Sequence, residues 1–133
     1  MVVFSEECRY IGHITSERVA ALRDGGRFEP TGDFGRLSDV DVIVVCVPTP
    51  LGEHREPDLG AVRQAGRAIG RCLRAGQLVV LESTTYPGTT RDVLRPELEA
   101  GALVAGRDFF LAYSPEREDP GNPKFSTASA VFR

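Results

Sequence analysis

Residues 42–47 read Val-Ile-Val-Val-Cys-Val, six consecutive apolar side chains of which five are β-branched. A run of this kind, with no polar alternation, predicts a strand over Asp41–Val47 that is covered on both faces, the habit of parallel sheets. Parallel neighbours cannot be joined by a tight turn, so long crossovers must follow. The first is a helix that Asp58 caps, running to Arg74 and closed by Gly76. Its Leu59, Val62, Ala65, Ile69, Cys72 and Leu73 recur at three- and four-residue steps as one apolar stripe. Gln77–Leu81 reads as a second short buried strand. A second helix is expected from about Thr89 to Ala100, bent or shortened by Pro96 and ended by Gly101. Asp108–Tyr113 reads as a third strand. The order strand, helix, strand, helix, strand predicts an α/β fold with parallel strands and right-handed crossovers.

Upstream the pattern is weaker. Thr15 or Ser16 can cap a short helix, Glu17–Arg23, with Val19, Ala20 and Leu22 inward and Asp24-Gly25-Gly26 ending it. Residues 28–37 read as a connector. Residues 1–40 are therefore expected to be an irregular or helical lead-in, with the sheet domain at 41–133.

Parallel strands place all their carboxyl ends on one edge, where open α/β sheets bind ligands. Three polar, proline-stiffened loops meet there: Pro48-Thr49-Pro50, Ser83-Thr84-Thr85 and Ser114-Pro115-Glu116-Arg117. Neither Pro48 nor Pro50 has an N–H, so Thr49 holds the only donors of its triplet. Ser83 to Thr90 supplies five hydroxyls on Ser and Thr, and the free N–H groups of a helix start at Thr89 or Thr90. The same residues would also serve as plain helix caps in a βα loop.

Length, charge and cysteine usage narrow the classes. The 133 residues suffice for one domain, and a net charge of −3 leaves no footprint for nucleic acid or an anionic membrane. No apolar run approaches the ~20 residues of a membrane helix, and Met1–Phe4 is too short for a signal peptide. Cys8, Cys46 and Cys72 are widely spaced with no Cys-x-x-Cys pair, which argues against zinc or any other metal site. Cys46 in a strand and Cys72 on a helix stripe are expected to be reduced core residues, which suits the cytoplasm. Arg63, Arg67, Arg71 and Arg74 form a second stripe. It reads as a solvated face rather than a phosphate contact, because no aromatic or glycine-rich loop accompanies it.

The loops carry motifs in a specific order: Cys-Val-Pro-Thr-Pro-Leu at 46–51, His-Arg-Glu-Pro-Asp-Leu at 54–59, Glu-Ser-Thr-Thr-Tyr-Pro-Gly-Thr-Thr at 82–90 and Ser-Pro-Glu-Arg at 114–117. Together they resemble the nucleotide-sugar 6-dehydrogenases, NAD-dependent enzymes that oxidise C6 of a UDP-sugar to a carboxylate. The resemblance runs from about Tyr10 to Asn122. The 54–59 and 82–90 forms are most similar to the UDP-N-acetylglucosamine branch. It implies a Rossmann-like, doubly wound parallel sheet, NAD as cofactor, a UDP-sugar as substrate and a homo-oligomeric parent. It also implies a place in polysaccharide biosynthesis. By position, Val47, Pro48, Thr49 and Pro50 would lie along the NAD adenosine ribose. Ser83 and Thr84 would lie near the cofactor, Thr84 helping to hold the water that hydrolyses a thioester. Glu116 would sit by the sugar in acid–base work on that water, with Arg117 beside it at the substrate.

The sequence departs from the resembled pattern at both ends. The family opens with a strand and a Gly-x-Gly-x-x-Gly turn for the pyrophosphate, which Gly25-Gly26 and Gly66-x-x-x-Gly70 do not match. The family's nucleophilic cysteine, and a helix carrying Lys and Asn, lie further along than Arg133. The chain is thus expected to be the second half of a Rossmann domain, inactive alone. A free-standing α/β binding or regulatory module is the alternative.

Overall fold

The computed structural model describes residues 2–3, 16–26, 28–52 and 56–115. Three parallel strands form its centre: β3 (Val42–Val45), β4 (Leu78–Leu81) and β5 (Phe110–Tyr113), in spatial order β3-β4-β5. They run in step, with Val45 beside Leu81 and Leu81 beside Tyr113. Helix α2 (Gly60–Gly70) carries the first crossover. The second is a helical segment of changing pitch: a π-turn at Thr90–Leu94, α3 (Arg95–Leu98) and a 3-10 turn at Glu99–Gly101. The α/β reading and its parallel connections are therefore correct. Upstream, β1 (Val2–Val3) pairs in parallel with β2 (Pro30–Thr31), and α1 (Ser16–Asp24) lies between them in sequence.

Local chemistry moves several boundaries. Asp58 accepts from the Gly60 N–H at 2.8 Å, as a helix-start acid should, but α2 stops at Gly70 rather than Arg74. The chain then turns so that Cys72 N–H bonds the Ile69 carbonyl. Pro96 cannot donate to the preceding turn, and the ladder widens instead, with Arg95 N–H reaching the Thr90 carbonyl. Ala102, not Gly101, takes the left-handed position that ends this segment, at φ 76°. In the expected connector, Asp33 caps a 3-10 turn, Phe34–Asp39, by accepting from Gly35 N–H. Leu22, expected inward on α1, is exposed.

The expectation of a sheet covered on both faces is corrected. Ile43, Val45, Val79 and Leu81 are buried against Val62 and Ile69 of α2 and against Val93, Leu94 and Leu98. On the opposite face Val42 and Val44 are half exposed, and Phe110 is exposed. The cause is topological. Strands added in one direction by right-handed crossovers put both connecting helices on the same face. Alternation along β3 also places Cys46 on the open side. Cys46 is exposed, not a core residue. Cys72 is part-buried, its Sγ near the Phe34, Ala68 and Ile69 carbonyls, and burial pushes its thiol pKa up.

Gly66 and Gly70, unfit for a dinucleotide turn, let α2 approach the second crossover. A Cβ on Gly70 would lie 2.6 Å from the Glu97 carbonyl oxygen, and one on Gly66 2.9 Å from Glu97 Cβ. Arg67 Nε then reaches Glu97 Oε2 at 2.9 Å, with Arg63 at 3.5 Å. Two members of the arginine stripe thus fasten one crossover to the other. Arg74 bonds the Ser38 and Val40 carbonyls and Asp41.

Replacing Gly70 by Ala should destabilise the chain by about 1–3 kcal/mol, because backbone cannot yield as a side chain can. Gly32→Ala, into open space, should be near neutral. Urea midpoints compare the two.

Acid should weaken the same region. Hydrogen bonding by Arg67 lowers the Glu97 pKa. The Ala105 N–H, then Arg95, lowers that of Glu99, and Arg107 with the Val104 N–H lowers that of Asp108. Each lowered carboxyl stabilises the fold above its ordinary pKa, 4.5 for Glu and 3.8 for Asp, and loses that effect as pH falls through the folded value. Urea midpoints should stay level from neutrality to about pH 5 and fall below it. Glu99→Gln should lower the midpoint at neutral pH and flatten the acid limb.

Candidate functional site

Because β3, β4 and β5 end in register, the segments after Val45, Leu81 and Tyr113 leave the sheet side by side. The ladder continues one step past the strands: Glu82 N–H donates to the Val45 carbonyl at 2.9 Å and Ser114 N–H to that of Leu81 at 3.0 Å. This brings together Val47, Pro48, Thr49, Pro50, Ser83 and Thr84. Glu116 and Arg117 lie outside the described residues, as does Cys8. So do His54 and Arg55 of the 54–59 motif.

The first two loops hold each other. The Ser83 hydroxyl accepts from Val47 N–H at 2.9 Å and donates to the Val47 carbonyl at 2.8 Å. Ser83 is 5% exposed, so this pairing is shielded from water. In the other direction the Thr49 hydroxyl donates to the Thr84 carbonyl at 2.6 Å. Each loop thus gives a side chain to the main chain of the other. Asp58 N–H donates to the Pro50 carbonyl, and Leu51 bridges Pro57, so the far side of the first loop is tied to the start of α2.

With these groups engaged, the Val47–Pro50 loop turns a mainly apolar surface outward, its two prolines exposed. Such a surface suits van der Waals contact with a ribose or base. Thr84 is exposed at the same rim. The Thr89 hydroxyl, by contrast, is buried and donates to the Tyr86 carbonyl at 2.8 Å, which sets the turn into the second crossover.

Sequence reasoning missed Glu82. Its carboxylate spans the three strand ends, with Cys46 Sγ 3.6 Å from Oε2 and Ser114 Oγ 3.4 Å from Oε1. Its place between an apolar strand and a hydroxyl run was the available signal. Among the described residues no cluster of three His, Cys, Asp or Glu side chains could hold a metal ion, and no helix is long and apolar enough to cross a membrane.

Residues 3–130 match the UDP-glucose/GDP-mannose dehydrogenase family, NAD binding domain. The chain belongs to this family. Its cofactor is NAD. Over 111 residues it is 39% identical to UDP-N-acetyl-D-glucosamine 6-dehydrogenase of Pseudomonas aeruginosa, covering 83% of this chain and 26% of that protein. The fold is similar to that of the NDP-N-acetyl-D-galactosaminuronic acid dehydrogenase of Methanosarcina mazei Go1. The TM-score is 0.72 at 40% identity, over 77% of this chain and 22% of that one. It is also similar to GDP-mannose dehydrogenase of Pseudomonas aeruginosa, with a TM-score of 0.71 at 34% identity, over 76% of this chain and 24% of that one. The chain therefore spans about a quarter of the length of the proteins it matches, and the Rossmann-like reading of the sheet is shown.

Ser83→Ala should leave both polar groups of the Val47 main chain without their partner, at a cost of about 1–3 kcal/mol. Amide exchange at Val47 should accelerate while that at Val79, on the central strand, follows only the global loss.

Proposed function

We propose that these residues form part of an NAD-dependent 6-dehydrogenase acting on a UDP-N-acetylhexosamine or UDP-glucose. The single observation that carries this reading is the mutual fastening of Val47–Pro50 and Ser83–Thr84 at the carboxyl edge. It sets a proline-walled surface beside an exposed hydroxyl. Identity to a UDP-N-acetyl-D-glucosamine 6-dehydrogenase favours the N-acetylated sugar.

Bound NAD supplies a hydride acceptor. Oxidation of a C6 alcohol to a carboxylate removes two hydrides, one to each of two NAD molecules, and takes its second oxygen from water. Val47, Pro48 and Pro50 would line the cofactor through apolar contact, with Ser83 holding that loop in place. Thr84 has a hydroxyl at the rim that can orient the water for thioester hydrolysis. Glu116 would then exchange the proton of that water, and Arg117 would contact the substrate. A carboxylate in a closed site can have its pKa raised toward neutrality, as such a base requires. None of Cys8, Cys46 and Cys72 is the nucleophilic thiol in this reading. The 133 residues are proposed to be inactive alone.

Residues 41–117 grafted into a complete relative provide the test. Thr84→Ala should slow thioester hydrolysis about 10²-fold, the low end for a residue that assists proton transfer, and the first hydride transfer by much less. Single-turnover kinetics separate the two steps. Equal loss in both would reassign Thr84 to general positioning.

A further inference from the structure

We propose that Thr49 is a positioning residue that acts through Thr84. This rests on the role for Thr84 given above and extends it. The resemblance puts Thr49 with the cofactor contacts, yet its hydroxyl proton is committed to the Thr84 carbonyl at 2.6 Å, a short bond even for O–H···O. Pro48 and Pro50 on either side fix the local backbone and narrow the orientations from which Thr49 donates. Thr49 is partly buried, whereas Thr84 is exposed and lies between the strand-end ladder and the Tyr86-Pro87-Gly88 turn. The Thr84 carbonyl is the point at which the first loop grips the stretch beyond Ser83.

The consequence is mechanical. Ser83 fixes the root of the first loop at Val47, and Thr49 returns from that loop to fix the main chain of Thr84. The surface that meets the cofactor and the hydroxyl that meets the water thus share one hydrogen-bonded frame. Without the Thr49 hydroxyl, the first loop keeps its Ser83 anchor, but the Thr84 peptide loses the acceptor bond that sets its orientation. The loss should fall on the water-dependent step, not on cofactor affinity.

The test has two arms. In the full 133-residue chain, amide spectra of Thr49→Val and Thr49→Ser are compared. Valine keeps the shape of threonine and removes the hydroxyl; serine keeps the hydroxyl. Thr49→Val should shift the Thr85 amide, which shares a peptide plane with the Thr84 carbonyl, and Thr49→Ser should leave it near its original position. In the grafted enzyme, Thr49→Val should slow thioester hydrolysis about tenfold, the effect of losing one hydrogen bond. The KM for NAD should change less than about twofold in a role confined to positioning, and Thr49→Ser should restore the rate. An unmoved Thr85 amide would overturn the proposal. So would a raised KM for NAD with hydrolysis intact, which would make Thr49 a cofactor contact. If Thr84→Ala slows both chemical steps equally, the role of Thr84 in the water step fails, and the amide arm still decides whether Thr49 positions it.

Discussion

The pairing of β4 on both sides is the constraint that the rest of the structure depends on. A central strand has no solvent to satisfy its backbone, so β3 and β5 must each supply a complete ladder. The bonds start before the strands and finish after them: Leu78 N–H to Asp41 and Phe110 N–H to Gln77 at one end, Glu82 N–H to Val45 and Ser114 N–H to Leu81 at the other. A buried polar side chain then secures each end. Fully buried Gln77 gives its Nε2 to the Leu37 and Val40 carbonyls, and its Oε1 takes the Arg74 N–H. Ser83 does the corresponding work for Val47. Buried polar groups with all their partners fix one arrangement, because any slip leaves them unpaired.

From that ladder follows the one-sided core. Both crossovers lie on the Ile43/Val45 face, so α2 and the second helical segment must share it and press together. Gly66 and Gly70 permit the close approach, and Glu97 with Arg67 and Arg63 borders it. Exposed ion pairs of this kind contribute little each. The buried apolar side chains of Val62, Leu94 and Leu98 stabilise this contact more than the ion pairs do. Pro96 fits because the helix widens by one residue ahead of it, which spares the donor that proline lacks.

The candidate site is a by-product of strand register. Three strands that end level deliver three chain segments to one edge, and two hydroxyls are enough to join the first two loops. Hydroxyls suit this task because they donate and accept in one small group. At buried Ser83 a charged pair would have carried a larger desolvation cost.

Much of this was legible in residue order. The unbroken run at 42–47, the three- and four-residue steps from Leu59 to Leu73 and the proline and glycine punctuation gave the parallel α/β order. The loop motifs gave the family and its cofactor. These signals are local, and a chain expresses them through backbone preference and side-chain periodicity alone. Other features were decided between distant segments. Cys46 faces out because the crossovers chose the other side of the sheet. Gly66 and Gly70 face a helix that no pattern within α2 could reveal, and the same contact brings Glu97 to Arg63 and Arg67, which stay on the solvent face. Ser83 and Thr49 found their partners across more than 30 residues. A hydroxyl in a sequence states that it can donate and accept. Tertiary structure alone selects the carbonyl it meets, because that choice depends on strand register and on the hand of the crossovers.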